Sequence, residues 1–507
     1  MGEIKDLFEY TGNPLYKSPL YEDINSSFLK NQSKELLPDW YKDSVFYQVW
    51  LKAFCDSNAD SVGDIEGLIS KLDYIHDTVA CDAIWLSPVF ECGFMSQSIH
   101  ANMHGYDTVD FYKVNALFGS EKTLLKLIDE VHKRGMKIIF DYVPNHTSRL
   151  NQWFIDSENK VNGKDNWYMW APQKYDWHPI SDFKFPCWTE SYARAYLGEK
   201  NKYWYGAFGG YMPDLNYRNY EVQEEMANVV RYWLNRGFDG IRIDAVRYLF
   251  ENPGKDNQRD TEETHEYFTA FQKNILEPYN KLFCPKMMVG EAWVENNREK
   301  FTRYFGKNKD AEFNMLFDFD FTRLVQKAIF NRSTDLFKAV CRDSDLSSYS
   351  LKARLGYMLC NHDALASMPA SLYSDRRQLK FATALLLLSP QTPFVYNGTE
   401  FGQKDACLPG PFDDIKMRYP LNWELMHKDS ESNDSLLALH KNLILLRKKY
   451  AALRRGKAQY YTDSKDTHGW ILDYENQKIR CTFNLKNYSF AVCKIDPSGL
   501  EEKLYEA

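Results

Sequence analysis

This chain of 507 residues alternates short apolar runs with longer amphipathic segments, and that alternation constrains its fold more than any other feature. The runs are rich in β-branched and aromatic residues, as strands are, and the segments between several of them have the pattern of helices. Strands that alternate with helices indicate βα units around a parallel sheet. Eight runs equal the strand number of a closed (β/α)8 TIM barrel, which is the α/β fold that we predict. The runs cover residues 44–51, 83–88, 137–143, 240–246, 287–293, 313–319, 357–362 and 392–398.

The regular pattern is interrupted once and changes near the C-terminus. The stretch after the third run is rich in Trp, Tyr, Asn and Lys and has no clean period, which favours an inserted subdomain. Its tryptophans should form one wall of a cleft, most of them by packing; they are Trp153, Trp167, Trp170, Trp177, Trp188 and Trp204. We predict an N-terminal extension (1–42), the barrel (43–146 and 217–455), subdomain B after strand 3 (147–216) and a small antiparallel β domain (456–507).

Composition narrows the possible partners. Lys+Arg 63 against Asp+Glu 70 gives a formal net charge of −7, which argues against nucleic acid or an anionic membrane as the main partner. The ten cysteines contain no C-x-x-C pair, so mostly reduced thiols are expected. The start, MGEIKDLFEYTGNP, lacks a basic segment followed by an apolar stretch, so we expect no signal peptide and a cytoplasmic location. The oligomeric state stays open.

Charged and polar side chains lie at or just after the ends of four of the predicted strands. The βα loops of a TIM barrel converge at that end, so these side chains should meet. A single aspartate at a strand end is more often a helix cap, but four acidic groups held together cost stability that a structural role does not explain. The residues are Asp141 with Asn145 and His146, Arg242 with Asp244, Glu291, and His362 with Asp363.

Cleavage of a glycosidic bond is the chemistry that uses such a set. One carboxylate attacks the anomeric carbon while a second carboxyl group, kept protonated by burial and its neighbours, protonates the leaving oxygen. Arg242 lies two residues before Asp244, on the same face of its strand, and can keep that carboxylate ionised. The two histidines, His146 and His362, either bond sugar hydroxyls or are satisfied core residues.

The order of these motifs carries a family resemblance. DYVPNH (141–146), GIRIDAV (240–246), VGEAW (289–293) and NHD (361–363) resemble, in order, the four best-known segments of the α-amylase superfamily, glycoside hydrolase family thirteen. MPDLN (212–216) resembles its fifth segment, and the resemblance covers about residues 43–455. Members are retaining hydrolases and transferases of α-glucans built on this barrel.

The resemblance implies a role for each matching residue. Asp244 is expected as the nucleophile, Glu291 as the general acid/base and Asp363 as the carboxylate that holds the distorted sugar. Asp141 is expected to give structural support. The residues expected to bind the substrate are Tyr106, which would stack beneath the sugar unless it only anchors its loop, His146, Arg242 and His362.

Departures from the family pattern bear on the substrate. Met103 stands where exo-acting α-glucosidases have the aspartate that holds the non-reducing end. Arg247 and Tyr248 replace the Lys-His that follows the nucleophile in many α-amylases, and Ala366 stands near where an arginine usually follows NHD. MPDLN resembles the subgroup intermediate between oligo-1,6-glucosidases and neopullulanases, whose members are mostly amylases of mixed specificity.

The prediction from these features is an endo-acting α-amylase that cleaves α-1,4 bonds of starch or malto-oligosaccharides. An exo-acting α-glucosidase and a glucan transglycosylase are the alternatives, because both use the same covalent ester. A glycan-binding or transporter-partner protein without activity usually lacks one of the carboxylates, and all three are present here.

The first predicted βα loop resembles a metal site. Oxygen donors recur at every second position, as in a calcium loop whose seventh place uses a backbone carbonyl. Gly67 rather than glutamate stands at the twelfth place, so this is not a sensor hand. Related members carry calcium in this loop, so a structural Ca²⁺ is expected; the alternative is a solvated acidic turn. The ligands would be Asp56, Asn58, Asp60, Val62 through its carbonyl, and Asp64.

Overall fold

The computed structural model describes residue 37 and residues 39–93, 104–177, 186–199, 202–254, 257–281, 285–294, 297–307, 311–342, 353–363, 367–407 and 413–507. Most of the predicted N-terminal extension lies outside these residues, as do Met103 and Ala366. The strands in chain order are β1 (Phe46–Val49), β2 (Ala83–Leu86), β3 (Phe90–Cys92), β4 (Thr108–Val114), β5 (Lys137–Tyr142), β6 (Trp170–Ala171), β7 (Trp188–Glu190), β8 (Tyr203–Tyr205), β9 (Gly240–Ile243), β10 (Met287–Gly290), β11 (Met315–Phe317), β12 (Arg354–Tyr357), β13 (Thr392–Tyr396), β14 (Lys457–Thr462), β15 (Thr467–Tyr474), β16 (Gln477–Asn484), β17 (Ser489–Ile495) and β18 (Glu501–Glu506).

Eight of the strands close into a parallel barrel in the order β1-β13-β12-β11-β10-β9-β5-β2. The first and last barrel strands pair directly, with Phe46 opposite Phe394. The predicted TIM barrel is therefore confirmed. One strand lies earlier than its apolar run: β12 spans Arg354–Tyr357, whereas the run begins at Tyr357. The charged Arg354 interrupts the apolar pattern, so a hydrophobicity pattern misses the start of this strand. The guanidinium is buried because it donates to the Thr392 hydroxyl at 3.1 Å and to the Arg454 carbonyl at 2.6 Å.

Helices follow the barrel strands, as the alternation predicts. In chain order they are α1 (Leu51–Phe54), α2 (Ile65–Ser70), α3 (Glu121–Lys133), α4 (Gln152–Asn159), α5 (Tyr192–Tyr196), α6 (Tyr220–Asn235), α7 (Glu262–Phe271), α8 (Glu277–Lys281), α9 (Arg298–Arg303), α10 (Phe319–Asn331), α11 (Thr334–Arg342), α12 (Pro369–Leu372), α13 (Arg376–Leu387), α14 (Trp423–Ser430), α15 (Leu436–Lys449) and α16 (Ala452–Arg455). Single π-helical turns occur at Tyr74–Val79 and Gln272–Leu276, and 3-10 turns at Trp40–Lys42, Val246–Tyr248, Thr399–Phe401 and Asp413–Lys416.

Helix α3 shows why these segments fold where they do. Ser120 and Thr123 form a capping box that satisfies free N–H groups of the first turn. Leu124 and Val131 face the barrel, fully buried, seven residues and two turns apart. Gly135 follows the last turn with φ +70, a left-handed conformation that glycine adopts without strain.

The barrel interior below the mouth is filled by large rings. Alternate residues of a strand point to opposite faces, so Phe46, Trp85, Phe317 and Phe394 enter the barrel while their neighbours pack against the helices. Phe46 stacks on Phe394 with ring centroids 4.5 Å apart, and Trp85 stacks on Phe317 at 5.0 Å. Gly356 makes room for them, since an added Cβ would lie 2.9 Å from the Phe317 ring. The same alternation directs the polar residues farther along these strands into the mouth.

The chain between β5 and β9 forms a separate sheet in the order β6-β8-β7. An isolated bridge joins His146, after β5, to Asp214 of this stretch, and a second bridge, Tyr168 with Leu215, lies within the stretch. The predicted packing of its tryptophans is correct for most of them. Buried are Trp167, Trp170, Trp177, Trp188 and Trp204, whereas Trp153 is half-buried.

The C-terminal residues form a five-stranded antiparallel sheet, β14 to β18, as predicted. It packs on helices of the barrel, and the Trp470 indole donates to the Leu388 carbonyl at 3.0 Å. Among the described residues, no helix combines the length and apolar character needed to cross a membrane. The cytoplasmic location stays a prediction.

Candidate active site

The predicted site residues lie at the carboxyl end of the barrel, on inward-facing positions. Asp141 of β5 pairs in register with Arg242 of β9. Asp244 is two residues beyond Arg242, so it points to the same face, and Glu291 follows β10 directly. Backbone bonds hold both acids in place: the Asp244 N–H donates to the Tyr142 carbonyl at 2.9 Å, and that of Glu291 to the Ile243 carbonyl at 3.0 Å.

Arg242 is the centre of the site. Its fully buried guanidinium lies 2.8 Å from Asp244 Oδ1, 2.7 Å from Glu291 Oε1 and 2.6 Å from Asp141 Oδ1. Asp244 and Glu291 thus share one guanidinium, through Nη1 and Nη2 respectively. Burial by itself lowers the pKa of the guanidinium, but the surrounding acids outweigh it and raise the pKa above its ordinary value, so Arg242 stays charged. One cation therefore gathers three acids that the sequence places on three different strands.

The pKa of Asp244 is set by opposing influences. Burial is the largest influence and raises its pKa well above the ordinary value; the charges of Glu291 and Asp141 act in the same direction. Arg242 lowers it, as expected from the sequence, but does not outweigh burial. Burial and the neighbouring carboxylates therefore favour the protonated form of Asp244, whereas Arg242 favours the ionised form. Contacts made by a bound substrate can shift this balance, because opposing influences of this kind are typical of catalytic carboxyl groups.

Asp141 supports the site from below. Its Oδ2 accepts from the Trp85 indole at 3.1 Å and from the Tyr106 hydroxyl at 3.0 Å, while Oδ1 binds Arg242. Burial raises its pKa to about 6. With both oxygens occupied by the protein, Asp141 orients Arg242 and Tyr106, which agrees with the expected structural role.

His362 is held as a neutral ring. Gln48 donates its amide to Nδ1 at 2.7 Å, so the ring proton lies on Nε2, 2.5 Å from the Tyr106 hydroxyl and 3.2 Å from Asp363 Oδ2. Burial lowers its pKa well below the ordinary value. Its ring stacks between Trp50 at 4.9 Å and Tyr106 at 5.5 Å.

Asp363 accepts a hydrogen bond from an arginine that the sequence did not reveal. Arg418, from the loop after β13, donates to Asp363 Oδ1 at 2.8 Å and to the His362 carbonyl at 2.8 Å. Its guanidinium also lies over the Trp50 ring, 4.8 Å from the centroid. The arginine sought directly after NHD is thus supplied from 55 residues further along the chain, a separation at which no motif signals it.

Glu291 has two further partners that were not predicted. The Trp293 indole donates to Oε1 at 3.1 Å, and the Ala245 N–H donates to Oε2 at 3.3 Å. Ala245 adopts φ +50, in the left-handed region, which turns the chain after Asp244 towards Glu291. The residue after the predicted nucleophile therefore contacts the predicted acid/base.

His146 lies where the barrel meets the inserted subdomain, in a bridge with Asp214. Its Nδ1 is 3.3 Å from the Asn145 amide, and its ring contacts Phe208 at 5.2 Å between centroids. Phe208 in turn meets Tyr248 edge-on at 5.6 Å. Burial lowers the pKa of His146 to about 3, so it is neutral.

The candidate metal loop between α1 and α2 is built on side-chain bonds to its own backbone. Asp56 accepts N–H bonds from Asn58 at 2.9 Å and Ser61 at 2.8 Å, and Asp60 accepts one from Val62 at 2.8 Å. Asp64 caps α2 by accepting from Gly67 at 2.7 Å. Within the described ranges, no three His, Cys, Asp or Glu side chains are grouped as metal ligands. The mostly exposed loop offers carboxylate, amide and carbonyl oxygens, which are the donors that calcium binds.

Comparison with known proteins identifies the family. A family model described as the α-amylase catalytic domain matches residues 48–427. The chain belongs to the α-amylase family. It is 33% identical over 420 residues to a trehalose synthase/amylase of Mycolicibacterium smegmatis, covering 76% of this chain and 67% of that one. It is 28% identical to α-amylase 3 of Dictyoglomus thermophilum over 88% of this chain and 85% of that one.

Solved structures agree with the fold. The crystal structure of an α-amylase from H. orenii has a TM-score of 0.71 at 27% identity and covers 88% of this chain and 90% of that one. Other similar proteins are named α-glucosidase or oligo-1,6-glucosidase. This α-amylase-family protein is thus an enzyme that acts on glycosidic bonds.

Proposed function

We propose that the enzyme is a retaining α-amylase that cleaves internal α-1,4 bonds of malto-oligosaccharides or starch. The contact of Asp244 and Glu291 with one guanidinium, at 2.8 and 2.7 Å, carries this proposal. Inverting glycosidases keep their two carboxyl groups about 6.5–9.5 Å apart to admit a water molecule, whereas retaining enzymes hold them closer. Two carboxyl groups that neighbouring nitrogens of one guanidinium hold together suit the retaining reaction.

In the first step Asp244 attacks the anomeric carbon and forms an ester as the glycosidic C–O bond breaks. Glu291 gives its proton to the leaving oxygen. In the second step water attacks the same carbon, Glu291 takes the proton of that water, and the ester bond to Asp244 breaks. Arg242 stabilises the negative charge that Asp244 regains.

Asp363 and His362 would bind hydroxyls of the sugar at the cleavage point. Asp363 is nearly one-third exposed and is turned by Arg418, so one of its oxygens stays available to a ligand. His362 Nε2 lies 3.2 Å from Asp363 Oδ2 and 2.5 Å from the Tyr106 hydroxyl, so a sugar hydroxyl would replace one of these contacts. Tyr106 lies against the His362 ring and would form the floor beneath the sugar.

Internal cleavage is favoured by Met103, which stands where exo-acting α-glucosidases have the aspartate that holds the non-reducing end. MPDLN (212–216), which resembles the subgroup whose members are mostly amylases of mixed specificity, favours it as well. The two relatives named α-amylase support the same activity. Transglycosylation and exo-acting α-glucosidase activity are the second candidate, because relatives carry the names trehalose synthase/amylase and α-glucosidase.

Product analysis separates these activities. The enzyme is incubated with maltoheptaose, pullulan and isomaltose, with Asp244→Asn as the blank, and products are followed by chromatography and by the anomeric signal in NMR. Mixed short malto-oligosaccharides that appear first as the α-anomer are the expected result. Glucose released singly, or cleavage of isomaltose, would establish an exo-glucosidase, and products longer than the substrate a transglycosylase.

We also propose that the loop of Asp56, Asn58, Asp60, Val62 and Asp64 holds a structural Ca²⁺. The donors alternate along the loop, and Ala59 and Ser61 adopt φ +66 and +71, which folds it into a compact turn. When bound, the ion would supply a positive charge among these acids. The loop lies directly between α1 and α2, so binding there would stabilise the first βα unit.

A further inference from the structure

We propose that Arg247 and Asp260 are positioning residues for Glu291 and act on it through Trp293. The proposal rests on the proposed role of Glu291 as the general acid/base. It concerns a chain of contacts that leads from a buried ion pair to one oxygen of that carboxyl group.

The contact nearest to the reaction is that of Trp293. Its indole donates to Glu291 Oε1 at 3.1 Å, and its ring stacks on Phe319 at 4.4 Å with 30° between the planes. The stacking sets the plane of the indole, whereas the Trp293 backbone sets its position along that plane. The position of the Trp293 backbone therefore decides where the N–H points.

Arg247 holds that backbone. Its Nη1 donates to the Trp293 carbonyl, while Nε and Nη2 bind the two oxygens of Asp260 at 2.7 and 2.5 Å. The Asp260 N–H donates back to the Arg247 carbonyl at 2.9 Å, and the Tyr304 hydroxyl donates to Asp260 at 2.8 Å. Every part of the guanidinium fork thus has a partner of matching geometry.

The pair is buried, with side-chain exposures of 9% for Arg247 and 8% for Asp260. Burial alone would raise the pKa of Asp260, but the bonds from Arg247 reverse this and hold it below its ordinary value. A buried charged pair costs free energy of folding unless its hydrogen-bond geometry is maintained, so this ion pair is held rigidly.

The Arg247–Asp260 ion pair connects the loop after Asp244 with the loop after Glu291. Arg247 lies three residues after Asp244, in the 3-10 turn Val246–Tyr248, and Trp293 lies two residues after Glu291. A bond between Arg247 and the Trp293 carbonyl therefore sets the separation of nucleophile and acid/base. Misplacement of a reacting group by about 1 Å can cost about a hundredfold in rate.

The test uses substrates that differ in their need for an acid. In a malto-oligosaccharide the leaving group is a poor one and must be protonated as the bond breaks. In α-maltosyl fluoride the leaving group is fluoride, which departs without protonation by an acid. For Arg247→Met and Trp293→Phe, kcat/KM for maltoheptaose should fall about tenfold or more, a part of the full effect of acid catalysis. The value for α-maltosyl fluoride should change less than about threefold, because kcat/KM reports the step in which fluoride leaves.

Sodium azide supplies a second readout. Hydrolysis of the ester needs Glu291 to remove a proton from water, but azide attacks the anomeric carbon without a proton to lose. In both variants azide should raise kcat for the fluoride and yield α-maltosyl azide. Arg218→Met is the matched control, since it removes another buried arginine that binds both oxygens of an acid, Glu263, without contacting Trp293.

The outcomes are distinct. Equal losses on both substrates, losses matched by Arg218→Met, or no loss in Trp293→Phe would overturn the positioning role. Trp293→Phe keeps the ring, so it remains informative if Arg247→Met does not fold. Glu291→Gln is measured beside them: if its loss does not depend on the leaving group, the acid/base role of Glu291 is wrong, and the positioning proposal falls with it.

Discussion

Replacing Arg418 by methionine tests its contact with Asp363, which the sequence did not reveal. The change removes a charge-assisted bond of 2.8 Å to Asp363 and a bond of 2.8 Å to the His362 carbonyl, and keeps most of the side-chain volume over Trp50. Bonds to charged groups contribute about 1.5–3 kcal/mol. Because 31% of Asp363 is exposed, we take the lower part of that range, about 2 kcal/mol.

If Asp363 must hold this orientation to bind the distorted sugar, the variant loses about 2 kcal/mol of transition-state stabilisation. This loss lowers kcat/KM by about 30-fold. Initial rates on maltoheptaose measure the loss, and thermal denaturation reports whether the fold is intact. Arg377→Met serves as control, because it removes an exposed ion pair with Asp375 outside the site. A loss below about threefold in Arg418→Met, or one that Arg377→Met reproduces, would refute the reasoning.

Three further predictions concern stability. Burial raises the pKa of Glu400 to about 7, so the folded state holds more protons than the unfolded state from about pH 4.5 to 7, and stability falls as pH rises through that range. Glu400→Gln should lack this slope in melting curves recorded across the range; parallel curves would contradict the assignment. Burial and Glu251 raise the pKa of Asp214, and that of Glu251 reaches about 7, so Asp214→Asn should melt higher than the wild type at pH 8 but not at pH 5. Removal of calcium by a chelator should lower the melting temperature, since an ion at one hundred times its Kd stabilises by about 2.7 kcal/mol. Asp60→Ala should melt near the chelated value with or without the chelator; a wild type that ignores the chelator would argue against the metal.

The sequence predicted the barrel because the relevant signal is local. Each apolar run is long enough to be recognised by itself, and the helices between runs carry their own caps, as Ser120 and Gly135 do for α3. β12 is the exception, since Arg354 and Gly356 interrupt the apolar pattern. The arginine is buried only because Thr392 and the Arg454 carbonyl receive its bonds, and no local pattern shows those partners.

The predicted carboxylates are also a local signal. Asp244 and Glu291 stand at the ends of strands that can be recognised, within motifs short enough to read directly. Their burial could be expected from that position, but the direction of the pKa of Asp244 could not. It depends on whether the pull of Arg242 exceeds the cost of desolvation, and that balance is set by distances in the folded protein.

The sequence by itself determined the order of strands and helices, the family and the candidate carboxylates, because each depends on residues that are neighbours along the chain. Only the tertiary structure decided which side chains hold those carboxylates. Arg418 reaches Asp363 across 55 residues, and Arg247 reaches Trp293 across 46. Closure of the barrel brings eight strand ends to one place, and the bonds formed there follow from spatial distance rather than from sequence separation.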